Sequence, residues 1–302
     1  MQEVSAGALQ QKQRDFLEFK KQFFNKNRKS VVRHPKFKKK EGRQSFRLPN
    51  QKFKVLNHGI KIEKVGFLKA VFDRLLPKEA KLLSVTISKN PSGDYFASVN
   101  FEAPVEPRFA KTGSTCGIDL GLTHFAVLSN GEKIENPRYF RKNQAKLAKA
   151  QQRFSKKKKG SSRRRKAAVK VARIHKKIQN SRAWFHHNTT NQILKRFDNV
   201  KIETLGIEQM LQNPMLAKSI SDAGWHQFAE ILSYKALWND KTVERIERFA
   251  PTTKTCSVCQ KVTELKLSER QWTCSCGATH DRDVNAAVNI LNAQGVACAK
   301  RA

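Results

Sequence analysis

Apolar residues along this chain recur at helical spacing in some stretches and alternate in others. Leu9, Phe16, Phe19, Phe23 and Phe24 fall at near-helical intervals among Lys and Gln, which predicts a basic amphipathic helix within residues 6–30 whose apolar face needs a partner. From Lys26 to Lys54 the chain is crowded with Lys and Arg and broken by Pro35 and Pro49, and it reads as loop and short strand lying against phosphate. Residues 82–88 and 95–101 have strand character and flank a turn at Pro91-Ser92-Gly93-Asp94, so a hairpin in a small β domain is expected between Phe53 and Pro104. A Pro- and Gly-bearing boundary near residues 104–113 precedes a core strand over Thr115–Gly121, a returning strand over His124–Leu128 and a turn at Asn130-Gly131. Val200–Glu203 reads as another strand, followed by a loop through Pro214. Trp225–Trp238 carries Phe228, Ile231, Leu232 and Leu237 at helical spacing and reads as a core helix rather than a base-stacking platform. Val243–Phe249 is a further short strand, and there is no internal repeat.

Charge changes this picture more than length does. The 302 residues, 39% of them hydrophobic, suffice for one large or two modest cores. Sixty Lys and Arg against twenty-five Asp and Glu give a formal charge of +35, which repels itself unless a polyanion is bound. A membrane surface is the rival partner, but the N-terminal residues offer neither a basic amphipathic anchor nor a lipidation signal, and no apolar run approaches bilayer length. Nucleic acid and a cytoplasmic, nucleoid-associated location are therefore expected. The basic residues concentrate between Asn136 and Phe197, where there is no Asp or Glu. Two basic helices around a turn at Gly160-Ser161-Ser162 are expected there. Lys156, Lys157, Lys158, Lys159, Arg163, Arg164, Arg165 and Lys166 are the candidate nucleic-acid contacts. Most charge runs end as solvated faces, but one so long and one-sided favours a polyphosphate.

Four of the six cysteines lie between residues 256 and 276. Cys256-x-x-Cys259 and Cys274-x-Cys276 form two thiolate pairs, each able to supply two corners of a tetrahedral Zn²⁺ site of the closed, structural kind. Residues 262–272 are read as the ribbon hairpin between them. The second pair has one spacer, which strains its knuckle, and His280 is a conceivable substitute ligand. A disulfide or unliganded buried thiols are the competing reading, which a reducing compartment disfavours. Cys116 and Cys298 stand alone, as a strand core residue and a tail residue. Among the acids, Asp119 sits inside an apolar strand, Glu203 ends a second, and Asp283 opens a helix over residues 285–291. Convergence of the three would suit Mg²⁺ and phosphodiester hydrolysis. Singly, each has a plainer account: Asp281 or Asp283 as a helix cap, Glu203 as the partner of a lysine.

Gly117-Ile118-Asp119-Leu120-Gly121, Ile202-Glu203-Thr204-Leu205, Ala223-Gly224-Trp225 with Tyr234-Lys235-Ala236, Thr255-Cys256-Ser257-Val258-Cys259, and residues 281–290 (DRDVNAAVNI) occur in an order that resembles the TnpB/OrfB family. These are insertion-sequence-encoded, RNA-guided nucleases similar to type V CRISPR effectors. The resemblance covers about residues 35–292. It implies an α/β chain with an RNase H-like RuvC domain over residues 113–302 and a zinc ribbon inserted at 250–280. A wedge β domain, barrel-like, is expected over 49–112, after a residual helical recognition segment and basic loop over 1–48. It also implies Asp119, Glu203 and Asp283 as catalytic Mg²⁺ ligands, and a guide RNA from the transposon end with target DNA as partners. A single-spacer cysteine pair such as Cys274-Ser275-Cys276 occurs in branches of the family. Against the family pattern Met1 falls inside the recognition region, so the first strand and helices of that region are expected to be missing.

The function expected is Mg²⁺-dependent, RNA-guided cleavage of DNA associated with transposition and recombination. A cleavage-inactive RNA-guided or nonspecific DNA-binding regulator is the alternative. A basic RNA-binding protein with a zinc ribbon ranks below both because it leaves the carboxylates unexplained, and strand transfer itself is usually the task of a separate enzyme in this family's relatives.

Overall fold

The computed structural model describes residues 5–25, 27, 34, 42, 44–248, 250–266 and 269–297. Cys298, Phe249 and most of the basic loop between Lys26 and Arg43 lie outside the described residues. The chain divides into two compact units, Met1–Val105 with Ala150–Arg173, and Glu106–Lys149 with Ile174–Ala302.

In the first unit, helix α1 (Ala6–Phe24) precedes strands β1 (Gln44–Pro49), β2 (Phe53–Leu56), β3 (Gly59–Ile62), β4 (Gly66–Lys69), β5 (Lys81–Lys89) and β6 (Tyr95–Glu102). They form two antiparallel sheets, β1-β5-β6 and β2-β3-β4. Leu48, Phe53, Ile60, Ile62, Val85 and Ile87 make the core, which Ala8 of α1 joins. The expected β5–β6 hairpin forms, closed by Asn90 N–H to the Asp94 carbonyl at 2.9 Å with Gly93 at φ 90°. The α1 stripe behaves differently from its pattern. Leu9, Phe16 and Phe24 are exposed, and the helix is seated instead by Gly7 and Ala8, small enough for Lys52 and Pro49 to approach closely. It ends at Phe24, because Asn25 is already extended.

Helices α2 (Tyr139–Ser155) and α3 (Ser162–Arg196) carry the chain through the unit boundary. The turn between them has Gly160 at φ 81°. Arg164 closes it, donating to the Phe154 and Lys157 carbonyls at 3.1 and 2.9 Å with its guanidinium 4.1 Å from the Phe154 ring centre. Lys156–Lys159, Arg163, Arg165 and Lys166 are exposed.

The second unit is built on a six-stranded mixed sheet, which with the surrounding helices makes the α/β architecture. Strands β7 (Thr115–Leu120), β8 (His124–Leu128) and β9 (Lys133–Glu135) form an antiparallel meander. Strand β10 (Asn199–Ile202) runs parallel to β7, and β11 (Thr242–Ile246) runs parallel to β10. Between β10 and β11 lie α4 (Ile207–Met210), α5 (Pro214–Ala223) and α6 (Trp225–Trp238). The stretch through Pro214, expected as loop, is thus helical: Asn213 accepts from Met215 N–H as N-cap, and Pro214 takes the first helical position, where a missing N–H costs nothing. Beyond β11 come a small hairpin of β12 (Gln271–Thr273) and β13 (Thr279–Asp281), then α7 (Arg282–Asn292) and β14 (Gly295–Ala297), which pairs antiparallel with β11. Phe125, Leu128, Ile193, Leu194, Ile202, Phe228 and Leu232 fill the core with Cys116, which burial identifies as the strand core residue expected.

The central strands are aligned at one end by a buried ion pair. Asp198, just before β10, accepts from Thr112 N–H and Gly113 N–H, both at 2.7 Å, ahead of β7. Lys241, just before β11, lies 2.8 Å from Asp198 Oδ1 with its side chain fully buried, and donates to the Leu194 and Ala110 carbonyls at 2.6 and 3.1 Å. The Lys241 ammonium and those amides hold the Asp198 carboxyl down at about 2. His186 is the opposite case. Burial among Phe125, Phe185 and Phe228 pulls its imidazole down to about 4, against the 2.8 Å contact of Nε2 with the Ala223 carbonyl.

Removing one member of the buried pair strands the other. Lys241→Ala is expected to lower unfolding free energy by about 3 kcal/mol in urea titrations, and Asp198→Asn/Lys241→Met to lose less than Lys241→Ala alone. His186 is neutral when folded, while the unfolded chain protonates near its ordinary value of 6.5. Its contribution is therefore complete above that value and fades as pH falls toward about 4. The urea midpoint of wild type should drop through that window, and that of His186→Phe should drop less.

Candidate active site and metal centre

Asp119 and Glu203 are brought together by strand register. In the parallel β7–β10 pair Ile118 faces Ile202, so the next residues on each strand are neighbours on one face, about 4.8 Å apart along the hydrogen-bonding direction. Their side chains adjoin, and Leu120 N–H donates to Glu203 Oε1 at 3.2 Å. Burial, reinforced by the charges of Glu203 and Asp283, holds the Asp119 carboxyl well above its usual range. Burial raises Glu203 as well, against the Leu120 amide and Asp119, which lower it.

Asp283 arrives on α7. Asp281, not Asp283, caps that helix, accepting from Asp283 N–H and Val284 N–H at 3.1 Å, while Lys133 Nζ holds the cap at 2.6 Å. This leaves the Asp283 carboxylate free of capping duty. It receives Arg270 Nη1 at 3.3 Å on each oxygen, with Arg282 Nε at 3.5 Å. Helix α7 reaches β7 because Gly117 has no side chain: a Cβ there would overlap the Ala287 carbonyl. The three acids thus gather at one end of the sheet, close enough for Glu203 and Asp283 to raise Asp119. The carboxylate oxygens of the three do not all lie within 4.8 Å of one another, and Asp283 is held by its two arginines rather than by the other acids.

The cysteines are packed more tightly. Among the described residues, Cys256, Cys259, Cys274 and Cys276 form the one group of three or more candidate ligands whose donor atoms all lie within 4.8 Å of one another. Cys256 and Cys276 sulfurs are 3.8 Å apart and those of Cys259 and Cys274 3.6 Å. These are not disulfides; the edge of a tetrahedron with Zn–S bonds of ~2.3 Å is about 3.8 Å, so the set fits Zn²⁺. The Cys276 amide and the neighbouring thiols pull Cys274 down to about 6, although burial opposes them. His280 stands beside this set. Its Nε2 is 3.1 Å from Cys256 Sγ and its ring packs on Trp272. The hairpin carrying the second pair is β12–β13, over residues 271–281 rather than 262–272, because Cys274 N–H to the Ala278 carbonyl at 2.8 Å closes the turn and Gly277 takes φ 87°.

Sequence reasoning did not assign roles to Asn285 and Asn289, which join the two centres. Asn285 Oδ1 accepts from Ser257 N–H at 2.9 Å, and its Nδ2 donates to the Thr255 carbonyl at 2.7 Å. Asn289 Nδ2 donates to the Thr252 and Thr255 carbonyls at 2.7 and 2.6 Å. Their i, i+4 spacing on one helix face was the available signal. Arg270 carried none, being one basic residue of sixty.

Comparison with known proteins gives two family-model matches. Residues 98–214 match OrfB_IS605, described as "Probable transposase", and residues 225–290 match the Cas12f1-like TNB domain. A Streptomyces pristinaespiralis protein provisionally named an RNA-guided DNA endonuclease is 39% identical, with 97% of this chain and 72% of that protein covered. InsQ of Escherichia coli, provisionally named likewise, is 31% identical over 94% of this chain and 73% of its own length. Among solved structures, a Cas12f1–sgRNA–target DNA complex aligns with TM-score 0.51 at 15% identity, over 82% of this chain and 59% of that chain, a likeness of fold.

The cysteine cluster predicts one Zn²⁺ per purified chain by plasma mass spectrometry, lost in Cys274→Ser. Asn285→Ala/Asn289→Ala should keep the zinc, yet speed amide exchange over residues 283–290 by roughly tenfold or more, as expected where about 1.4 kcal/mol of local stability is lost.

Proposed function

From the premise that the chain belongs to the TnpB/OrfB family of insertion-sequence-encoded proteins, we propose that it is an RNA-guided DNA endonuclease whose catalytic carboxylates are Asp119, Glu203 and Asp283. The observation that carries this reading is the in-register approach of Asp119 and Glu203 on adjacent parallel strands, with Asp283 delivered to the same end by α7. Residues 113–302 are read as an RNase H-like RuvC domain with a ribbon at 250–280. Residues 49–112 are the wedge and 1–48 the recognition segment and basic loop.

Mg²⁺ bound at the three acids would activate a water and stabilise the leaving oxygen of a phosphodiester. The chain's own residues prepare for it. Asp119 and Glu203 present adjoining carboxylates from two rigid strands, the Leu120 amide orients one of them, and Arg270 and Arg282 pair with Asp283 beside them. The exposed cations of Lys156–Lys159, Arg163, Arg165 and Lys166 supply sequence-independent attraction for a guide RNA and target DNA, leaving base pairing to select the target. The four cysteines would hold a structural Zn²⁺, and Asn285 and Asn289 tie the backbone that leads into Cys256 to α7.

The test is cleavage of a plasmid carrying a site matched to RNA that co-purifies with the chain. Metal-dependent cutting is expected, reduced at least about a thousandfold in Asp119→Ala and Glu203→Gln, with RNA binding by both variants unchanged. Tight binding without cutting by wild type would replace the enzyme with a guided or nonspecific DNA-binding regulator.

A further inference from the structure

Beside Glu203 lies a cavity of about 360 Å³, walled by the segment 203–209, the first turn of α6 and the end of β11. Its cations are Arg245 and Arg248 and its acids Glu203 and Glu208, and the His226 side chain also lines it. The Arg248 guanidinium lies directly on Gly206, where a Cβ would overlap it, and Nη2 donates to Gln209 Oε1. Any side chain at 206 would therefore push Arg248 from the wall. Arg245 Nη2 reaches Glu230 at 3.3 Å, while its Nε is buried with no partner among the described residues. Trp225 also lines the cavity, is 3% exposed, and its indole N–H is likewise unpartnered. Two guanidinium groups lining one cavity beside Glu203 point to an oxygen-rich anion as occupant.

The volume lies at the small end of ligand sites, roughly 300–1,000 Å³, and suits one nucleotide rather than a duplex. We propose that this cavity is a single-strand subsite in which Arg245 and Arg248 hold the phosphate adjoining the scissile bond, with Gly206 seating Arg248. The assignment rests on the reading of Glu203 as a nuclease carboxylate. Arginines that grip a phosphate carry no base preference, so the subsite fixes the position of the strand and not its sequence.

The experiment is a cycle between protein and substrate. Guided cleavage is timed on DNA with one neutral methylphosphonate placed at each phosphate around the cut. Wild type is expected to lose about tenfold in kcat/KM at one flanking position, the worth of one charge-assisted contact. Arg248→Ala and Gly206→Val should each be about tenfold slower on natural DNA, yet show little further loss at that position, with Arg248→Lys between. An equal methylphosphonate penalty in wild type and Arg248→Ala would overturn the subsite while leaving the endonuclease standing. If wild type does not cut, the endonuclease reading falls, and the cavity is judged by ultraviolet cross-linking of a 5-iododeoxyuridine hexanucleotide in 0.3 M salt (about three times the roughly 0.1 M at which the Debye length is near 10 Å). A cross-link at Trp225 or His226 that Arg248→Ala removes supports the subsite; cross-links confined to residues 156–166 overturn it.

Discussion

The arrangement of the second unit depends on a single ammonium group taken out of water. Lys241 Nζ meets Asp198 and the carbonyls of Leu194 and Ala110, and Asp198 in turn meets the amides that open β7. An unpaired charge there would be prohibitively costly, so the three segments that satisfy it are fixed together. Those segments begin β7, β10 and β11. Because strand register propagates residue by residue, the positions at the far ends of β7 and β10 are set as well, and there the neighbours are Asp119 and Glu203. A hydrophobic core alone would tolerate a two-residue slip that kept the same faces buried. The ion pair does not, since a slip would leave either Lys241 or two amides unpartnered.

The third acid depends on a different constraint. Helix α7 must approach β7 until its backbone touches the strand, and Gly117 is what allows this. It must also be held along its outer side, and Asn285 and Asn289 do this by bonding the Thr252–Ser257 backbone. That backbone leads into Cys256. The knuckle and the helix that carries Asp283 are consequently one hydrogen-bonded piece, so a metal held by the four cysteines would bear on the geometry of an acid it does not touch.

Much of this was legible from pattern. Strands β5, β6, β7, β8 and β10 follow from alternation and β-branched content, and the cysteine cluster from spacing. Helix α5 was hidden because Pro214 reads equally as a breaker and as a first helical residue, and only Asn213 ahead of it distinguishes the two. The apolar stripe of α1 misled for another reason: its seat is made by Gly7 and Ala8, whose value lies in size rather than hydropathy. The choice among the acids needed more than periodicity. Their choice rested on the family resemblance, and the register that sets Asp119 beside Glu203 and the cap at Asp281 that leaves Asp283 uncommitted are not written locally in the sequence.

Net charge gives a similar lesson about what a composition can mean. A formal +35 invites the view that every cation in a basic run faces a polyanion. Several do not. Arg164 closes its own turn, Arg182 donates to the Ser221 carbonyl at 2.8 Å, Lys201 to the Ala293 carbonyl at 2.7 Å and Lys235 to the His187 carbonyl at 2.8 Å. Carbonyls such as these take donors from long basic side chains, which then spend their hydrogen bonds on the backbone. Such cations add to the positive field of the chain, but they cannot also pair with an outside anion without releasing the backbone. The residues free to make phosphate contacts are therefore those, like Lys156–Lys159, whose side chains lie in solvent, and a charge count becomes a binding surface only after the carbonyls have taken their share.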